Sequence, residues 1–166
     1  MFIITQFLPV VKMNAFIYGL KLKFGKISQL TTSELEEKIK RKEEGLILDV
    51  RSNEERSISH IPESVHFNDC CFEDKEKMKK KFLDLTKDHS TVVAYCSVGY
   101  RSSRLINEIS PFVSEDKKLY NLEGGIFKWA TEGRSLVEGE NKPTVFVHPY
   151  NKVFEKLIGS KFCKYV

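Results

Sequence analysis

Two short runs, Leu46-Ile47-Leu48-Asp49-Val50 and Thr91-Val92-Val93-Ala94-Tyr95-Cys96, are apolar at almost every position instead of at every second one. A strand with one wet face alternates, so unbroken runs of this length belong to strands covered on both faces, the situation of a parallel sheet between two helix layers. The intervening chain supplies such helices. Thr32 or Ser33 can cap a helix through Lys42 in which Leu35 and Ile39 repeat at helical spacing, with Gly45 to end it. Residues 73–83 form a charged amphipathic helix with Met78 and Phe82 one turn apart. After Cys96 a tight loop leads into a helix opened by Ser102-Ser103, with Leu105, Ile106 and Ile109 inward and Pro111 as the stop. Val65-His66-Phe67 and Leu119-Tyr120-Asn121-Leu122 read as further strands. Gly124-Gly125 then precedes a helix around Ile126, Trp129 and Ala130 that Gly133 can close. The alternation predicts an α/β domain with a central parallel sheet of about five strands flanked by helices.

Composition excludes several alternatives. The 166 residues are 41% hydrophobic and 30% charged, as in an ordinary globule, and the net charge of +4 comes from lysines interleaved with acidic residues, as in Glu34-Leu35-Glu36-Glu37-Lys38. Even the Lys79-Lys80-Lys81 run lacks the interleaved aromatics of a nucleic-acid platform, so no nucleic acid is expected as a partner. Four cysteines, Cys70, Cys71, Cys96 and Cys163, show no C-x-x-C pairing for zinc, and they suit a reducing, cytoplasmic setting. The apolar start, with Phe2-Ile3-Ile4 and Phe7-Leu8, is interrupted by Pro9, Lys12 and Asn14 and lacks a basic leader, so no membrane span is expected. Translation could equally begin at Met13. The chain divides into an N-terminal extension over 1–26, partly helical, a domain over 27–137, and a C-terminal extension over 138–166 that packs on it.

Cys96 carries the chemistry. It stands at the carboxyl end of a buried strand, where open α/β sheets bind ligands and where loop amides and the following helix present partial positive charge. A lone cysteine is usually a small buried hydrophobe. Here Gly99, Arg101 and Ser102 follow within six residues, and this combination of a flexible turn, a cation and a helix start favours an anionic, nucleophilic sulfur. The candidate active loop is therefore Ser97, Val98, Gly99, Tyr100, Arg101 and Ser102, with Asp49 and Arg51 as supports at the same sheet edge. His60 invites assignment as a general base, but its neighbour Pro62 points to a turn. Trp129 reads as core, Arg104 as solvent-facing, and Cys70 or Cys71 as a candidate resolving thiol.

The sequence Cys96-Ser97-Val98-Gly99-Tyr100-Arg101-Ser102 resembles the C-x-x-G-x-R-S active loop of the rhodanese family of sulfurtransferases. Leu48-Asp49-Val50-Arg51 with Glu55 and His60-Ile61-Pro62-Glu63-Ser64 is similar to the family's early D-V-R and H-I-P stretch, and Gly124-Gly125-Ile126-Phe127-Lys128-Trp129 to its late G-G-x-x-x-W element. Arg56 stands where an aromatic is usual, Ser59 and Glu63 where glycines are usual, and Ser64 where alanine is common. The resemblance implies a five-stranded parallel sheet, a Cys96 persulfide formed from thiosulfate, a polysulfide or a persulfide donor, and a thiol or cyanide acceptor, with neither metal nor organic cofactor. It treats His60 as structural. Four residues separate Cys96 from Arg101, whereas related dual-specificity phosphatases have five; the shorter loop suits one sulfur atom and crowds phosphate or arsenate. The competing readings are a non-catalytic rhodanese-like binding or regulatory module and, more remotely, a phosphatase or arsenate reductase.

Overall fold

The computed structural model describes residues 4–68 and 74–166. Strands β1 (Gln29–Leu30), β2 (Leu46–Asp49), β3 (Val65–His66), β4 (Thr91–Tyr95) and β5 (Lys118–Leu122) form a single sheet in the order β1-β5-β4-β2-β3. Every pairing in it is parallel, with Leu48 opposite Ala94 and Asp49 opposite Tyr95 across the centre. The expected α/β architecture is therefore present, and the two unbroken apolar runs are its central strands.

Helices cover both faces. These are α1 (Ile4–Lys23), α2 (Thr32–Lys40), α3 (Asn53–Ile58), α4 (Lys75–Thr86), α5 (Tyr100–Ile109), α6 (Gly125–Thr131) and α7 (Lys152–Ile158). Alternation along the strands sorts the core into two clusters. Ile47, Val93 and Tyr95 point to one side with Leu35, Ile126, Phe127 and Trp129, while Leu48, Val92, Ala94 and Cys96 point to the other with Phe82, Leu105 and Ile109. Trp129 is buried, and its indole N–H donates to the Ser135 carbonyl at 2.8 Å, so it is a packed core residue. Met13 and Ile17 of α1 and Ile158 of α7 are buried in the first cluster, and α1 touches α7 directly.

Several boundaries differ from the sequence reading. The first cap is Thr31, not Thr32 or Ser33: its hydroxyl accepts from the Glu34 N–H while the Glu34 carboxylate takes the Thr31 N–H, a reciprocal capping box. That helix ends at Lys40, before Gly45, because Lys42 itself enters the left-handed region at φ 54°. The helix after Cys96 starts at Tyr100, two residues before Ser102, with Gly99 at φ 100° as its cap. The two-residue β1, the short α3 and the antiparallel hairpin β6 (Leu136–Glu138) and β7 (Lys142–Thr144) complete the described fold. No described helix is long and apolar enough to cross a membrane.

Candidate active site

β4 ends at Tyr95, so Cys96 begins the loop that turns into α5, and the residue is 1% exposed. The Gly99 N–H donates to Cys96 Sγ at 3.2 Å. That approach requires the backbone at φ 100°, and a Cβ on residue 99 would come within 3.0 Å of Asn121 Nδ2. Asn121, at the end of β5, accepts the Ser102 hydroxyl at 2.6 Å and donates to the Gln29 side chain at 2.7 Å, tying the first turn of α5 to two strands.

The carbonyl side of the loop is held from above by α6. Ile126 N–H donates to the Cys96 carbonyl at 2.9 Å, and Phe127 N–H to the Ser97 carbonyl at 3.0 Å. These two donors belong to the first turn of α6, which has no intrahelical acceptors for them. The approach is possible because residue 125 is glycine: a Cβ there would lie 2.3 Å from the Cys96 carbonyl oxygen, with φ at 57°. The Gly124-Gly125 pair thus does more than form a turn.

One flank of the loop is ionic. Ser52-Asn53-Glu54-Glu55 starts α3 with a capping box in which Glu55 Oε2 accepts the Ser52 N–H at 3.1 Å. The same carboxylate accepts both terminal nitrogens of Arg101 at 2.7 Å and the Ser97 hydroxyl at 2.6 Å. Burial pushes the Glu55 carboxyl up, but the Arg101 donors and charge, with the Ser97 hydroxyl, outweigh it and hold it below the usual range. The guanidinium charge of Arg101 is therefore shared with a buried carboxylate instead of facing the cavity alone.

Asp49 and Arg51 form a second pair beneath this one, both fully buried. Arg51 Nε and Nη2 reach the two Asp49 oxygens at 2.8 and 2.7 Å, and Nη2 also donates to the Ser59 carbonyl at 2.6 Å. Arg56 Nη1 and the Tyr95 hydroxyl donate to Asp49 Oδ2 at 3.2 and 2.9 Å. Burial opposes ionisation of Asp49, yet Arg51 and Arg56 hold its carboxyl below the usual range. Among the described residues the pair's side-chain hydrogen bonds reach Tyr95 and the Asn53–Ser59 segment, not the 97–102 loop. Arg56, an aromatic position in the family pattern, is here a third member of the pair, and it also grips the Ser64 carbonyl at 2.7 Å.

His60 does not line the Cys96 cavity. Its backbone pairs with Val137 in both directions, and the residue borders a separate depression shared with Asn53, Arg56 and Glu138. Burial, then the nearby Arg56 charge, lowers its pKa to about 4, and Nδ1 has no hydrogen-bond partner. Arg104 is exposed on α5. Cys70 and Cys71 lie outside the described residues. Cys163 is half-buried, its thiol pushed up to about 11 by burial and then by Glu155. Among the described residues no group of three or more His, Cys, Asp or Glu side chains is arranged to hold a metal ion.

The other flank of Cys96 is aromatic. A cavity of about 130 Å³ is bounded by Cys96, Ser97, Val98, Tyr100 and Arg101 from the loop and by Phe16, Tyr150 and Phe154 from the two ends of the chain. These last three were not among the sequence candidates. Nothing in the local sequence marks them as lining a site.

The rhodanese-like domain profile matches residues 31–132, more than half of the chain and all of the ionic site. The chain is a member of the rhodanese-like domain family. A Bacillus subtilis (strain 168) relative, "Putative sulfurtransferase YtwF", is 33% identical over 117 residues, covering 70% of this chain and 96% of its own length. Among solved structures, the thiosulfate sulfurtransferase of Pseudomonas aeruginosa superposes with a TM-score of 0.58 at 18% identity, over 88% of this chain and 26% of that one. Ygr203w, described as a yeast protein tyrosine phosphatase of the rhodanese family, superposes with a TM-score of 0.53 at 19% identity, over 63% of this chain and 85% of that one. At such identities the two structures speak for the fold. The rhodanese match ends before Tyr150 and starts after Phe16, so the aromatic flank lies outside it.

Proposed function

We propose that this rhodanese-like protein is a sulfurtransferase that carries sulfane sulfur as a persulfide on Cys96. The Cys96 thiolate attacks the outer sulfur of thiosulfate, a polysulfide or an organic persulfide; the donor's S–S bond breaks and its remainder leaves as an anion. A thiol or cyanide then attacks the outer sulfur of the persulfide and restores the thiolate. The observation that carries this reading is the short closed loop in which the Gly99 N–H meets Sγ at 3.2 Å while Ser97 and Arg101 are fixed by Glu55. A donor already aimed at sulfur stabilises charge on the persulfide without rearrangement. Cys96 and the loop 97–102 form the working site in this reading. Asp49 and Arg51 act as indirect supports, holding the segment that carries Glu55, and His60 is structural.

Two features weigh against phosphoryl chemistry. Four residues between Cys96 and Arg101 leave room for one sulfur, and the arginine that would clamp a phosphate is engaged by a carboxylate. An inert binding module has no use for a nucleophile set in such a loop. A reducing, cytoplasmic setting keeps the thiol available. With thiosulfate and cyanide, thiocyanate formation by the parent protein and its loss in Cys96→Ser is the expected result. Full thiocyanate formation by Cys96→Ser, or aryl phosphate hydrolysis that depends on Cys96, overturns the reading.

A further inference from the structure

The wall of the Cys96 cavity is built from segments on both sides of the family-matched residues 31–132. Phe16 comes from the middle of α1, Tyr150 from the turn before α7, and Phe154 from its first turn. The rings support one another edge to face: Phe16 and Phe154 have centroids 5.9 Å apart, as do Tyr150 and Phe154, and Phe154 rests on core Phe127 at 6.0 Å. Tyr150 adopts φ 65°, a strained conformation for a bulky side chain, and is 51% exposed. In that pose its ring stands 5.1 Å from the Arg101 guanidinium, over the approach to Cys96. Strain retained at a half-exposed position beside a nucleophile is a mark of use.

Charge and size narrow what can enter. Arg101, the one charged side chain among the described residues that line the cavity, is paired with Glu55. A small dianion gives up hydration against these rings and meets little uncompensated positive charge in return. An apolar body loses nothing by the same transfer. The volume of about 130 Å³ is close to that of an apolar cavity of about 150 Å³ that takes up benzene.

The geometry points to an organic sulfur donor with an uncharged apolar body, about one aromatic ring in size, that packs on Phe16, Tyr150 and Phe154 while its terminal sulfur meets Cys96. This inference rests on the sulfurtransferase reading and names the substrate class for it. With an aryl thiosulfonate as the probe, the Cys96 thiolate attacks the terminal sulfur, the bond between that sulfur and the sulfonyl sulfur breaks, and aryl sulfinate leaves with the electron pair. The persulfide remains on Cys96, and cyanide removes its outer sulfur as thiocyanate.

The test compares benzenethiosulfonate with methanethiosulfonate, which share charge and leaving chemistry and differ in the apolar body. The full chain is used with cyanide as the acceptor, and each donor's kcat/KM is divided by its rate with a free low-molecular-weight thiol. The expected normalised preference for the aryl donor is about tenfold or more, the scale for burying one ring. Phe154→Ala and Phe16→Ala should each bring that ratio towards one, mainly through KM. Tyr150→Gly removes a ring while relieving the backbone strain, and should lower the ratio in a protein that keeps its fold. Equal normalised rates in the parent, or an unchanged ratio in all three variants, overturn the pocket assignment alone. If Cys96 takes sulfur from neither thiosulfonate nor from inorganic polysulfide, the sulfurtransferase reading falls with it.

Discussion

The two flanks of Cys96 are made of opposite materials. On one side Asp49, Arg51, Glu55, Ser97 and Arg101 form buried charged and hydrogen-bonded contacts anchored to β2, α3 and the loop itself, all within the family-matched region. On the other, Phe16, Tyr150 and Phe154 form a wall of rings supplied by segments outside the family-matched residues 31–132. Buried ionic contacts fix geometry because breaking one strands a charge in a low dielectric, whereas an aromatic wall tolerates exchange and sets what fits. The comparison teaches that shape at the sulfur atom and choice of substrate are carried by separate parts of the chain.

The largest effect is expected where the loop is fastened. Gly125→Ala drives a Cβ to 2.3 Å from the Cys96 carbonyl oxygen, a backbone atom that cannot swing aside as a flexible side chain would. Stability should fall by more than about 2 kcal/mol and sulfur transfer by about a hundredfold. Gly133→Ala is the control, since Gly133 also has positive φ but nothing within 4 Å of a new Cβ. It should cost only the backbone strain, about 1–2 kcal/mol, with transfer retained. Equal losses in chemical denaturation and equal activity in the two variants would show that the α6 contact does not hold the loop.

Next in size is Glu55→Gln, which removes the carboxylate beneath Arg101 and Ser97. A loss of about 2 kcal/mol in stability is expected. The released guanidinium charge should also raise use of thiosulfate relative to benzenethiosulfonate, read as the ratio of their kcat/KM values. An unchanged ratio would mean that Arg101 is not neutralised in the way its geometry suggests.

The smallest effect is in pH dependence. His60 has a pKa lowered to about 4 from 6.5, so the unfolded chain binds a proton that the folded one refuses as pH falls between those values. Stability should therefore decline by only about 1 kcal/mol from pH 6.5 to 4, because solvent reaching the open depression beside the residue screens much of the shift. Asp49 and Glu55, both held low, add to the loss below pH about 4, where the unfolded carboxyls begin to take protons. His60→Gln should flatten the slope above pH 4 while leaving donor preference alone, because His60 borders a different depression from the Cys96 cavity. An unaltered slope would remove His60 from the acid response.

How much of this could be read in the residues follows the same division. β2 and β4 were legible because unbroken apolar runs have few alternatives, and Cys96 with its loop was legible because flexible turn, cation and helix start are adjacent in the chain. The helix α3 carries a capping signal in Ser52-x-x-Glu55, but the six-residue element has no apolar stripe to set it apart from a loop. What the sequence does not display is partnership at a distance. Glu55 meets Arg101 across 46 positions, and Phe16 meets Phe154 only because α1 and α7 pack together. Nothing local distinguishes those aromatic residues from ordinary core or surface positions. The same holds for the α6 amides on the Cys96 and Ser97 carbonyls, where a pair of glycines looks like a turn until the carbonyl beneath it is seen.

The central claim is that sulfur rides on Cys96, and intact-protein mass spectrometry after brief exposure to a stoichiometric sulfur donor tests it most directly. The account predicts a gain of one sulfur atom, mapped to the peptide containing Cys96, that disappears when cyanide or a thiol is added. A protein that gains no sulfur, or gains it on another cysteine while Cys96 stays unmodified, contradicts the account.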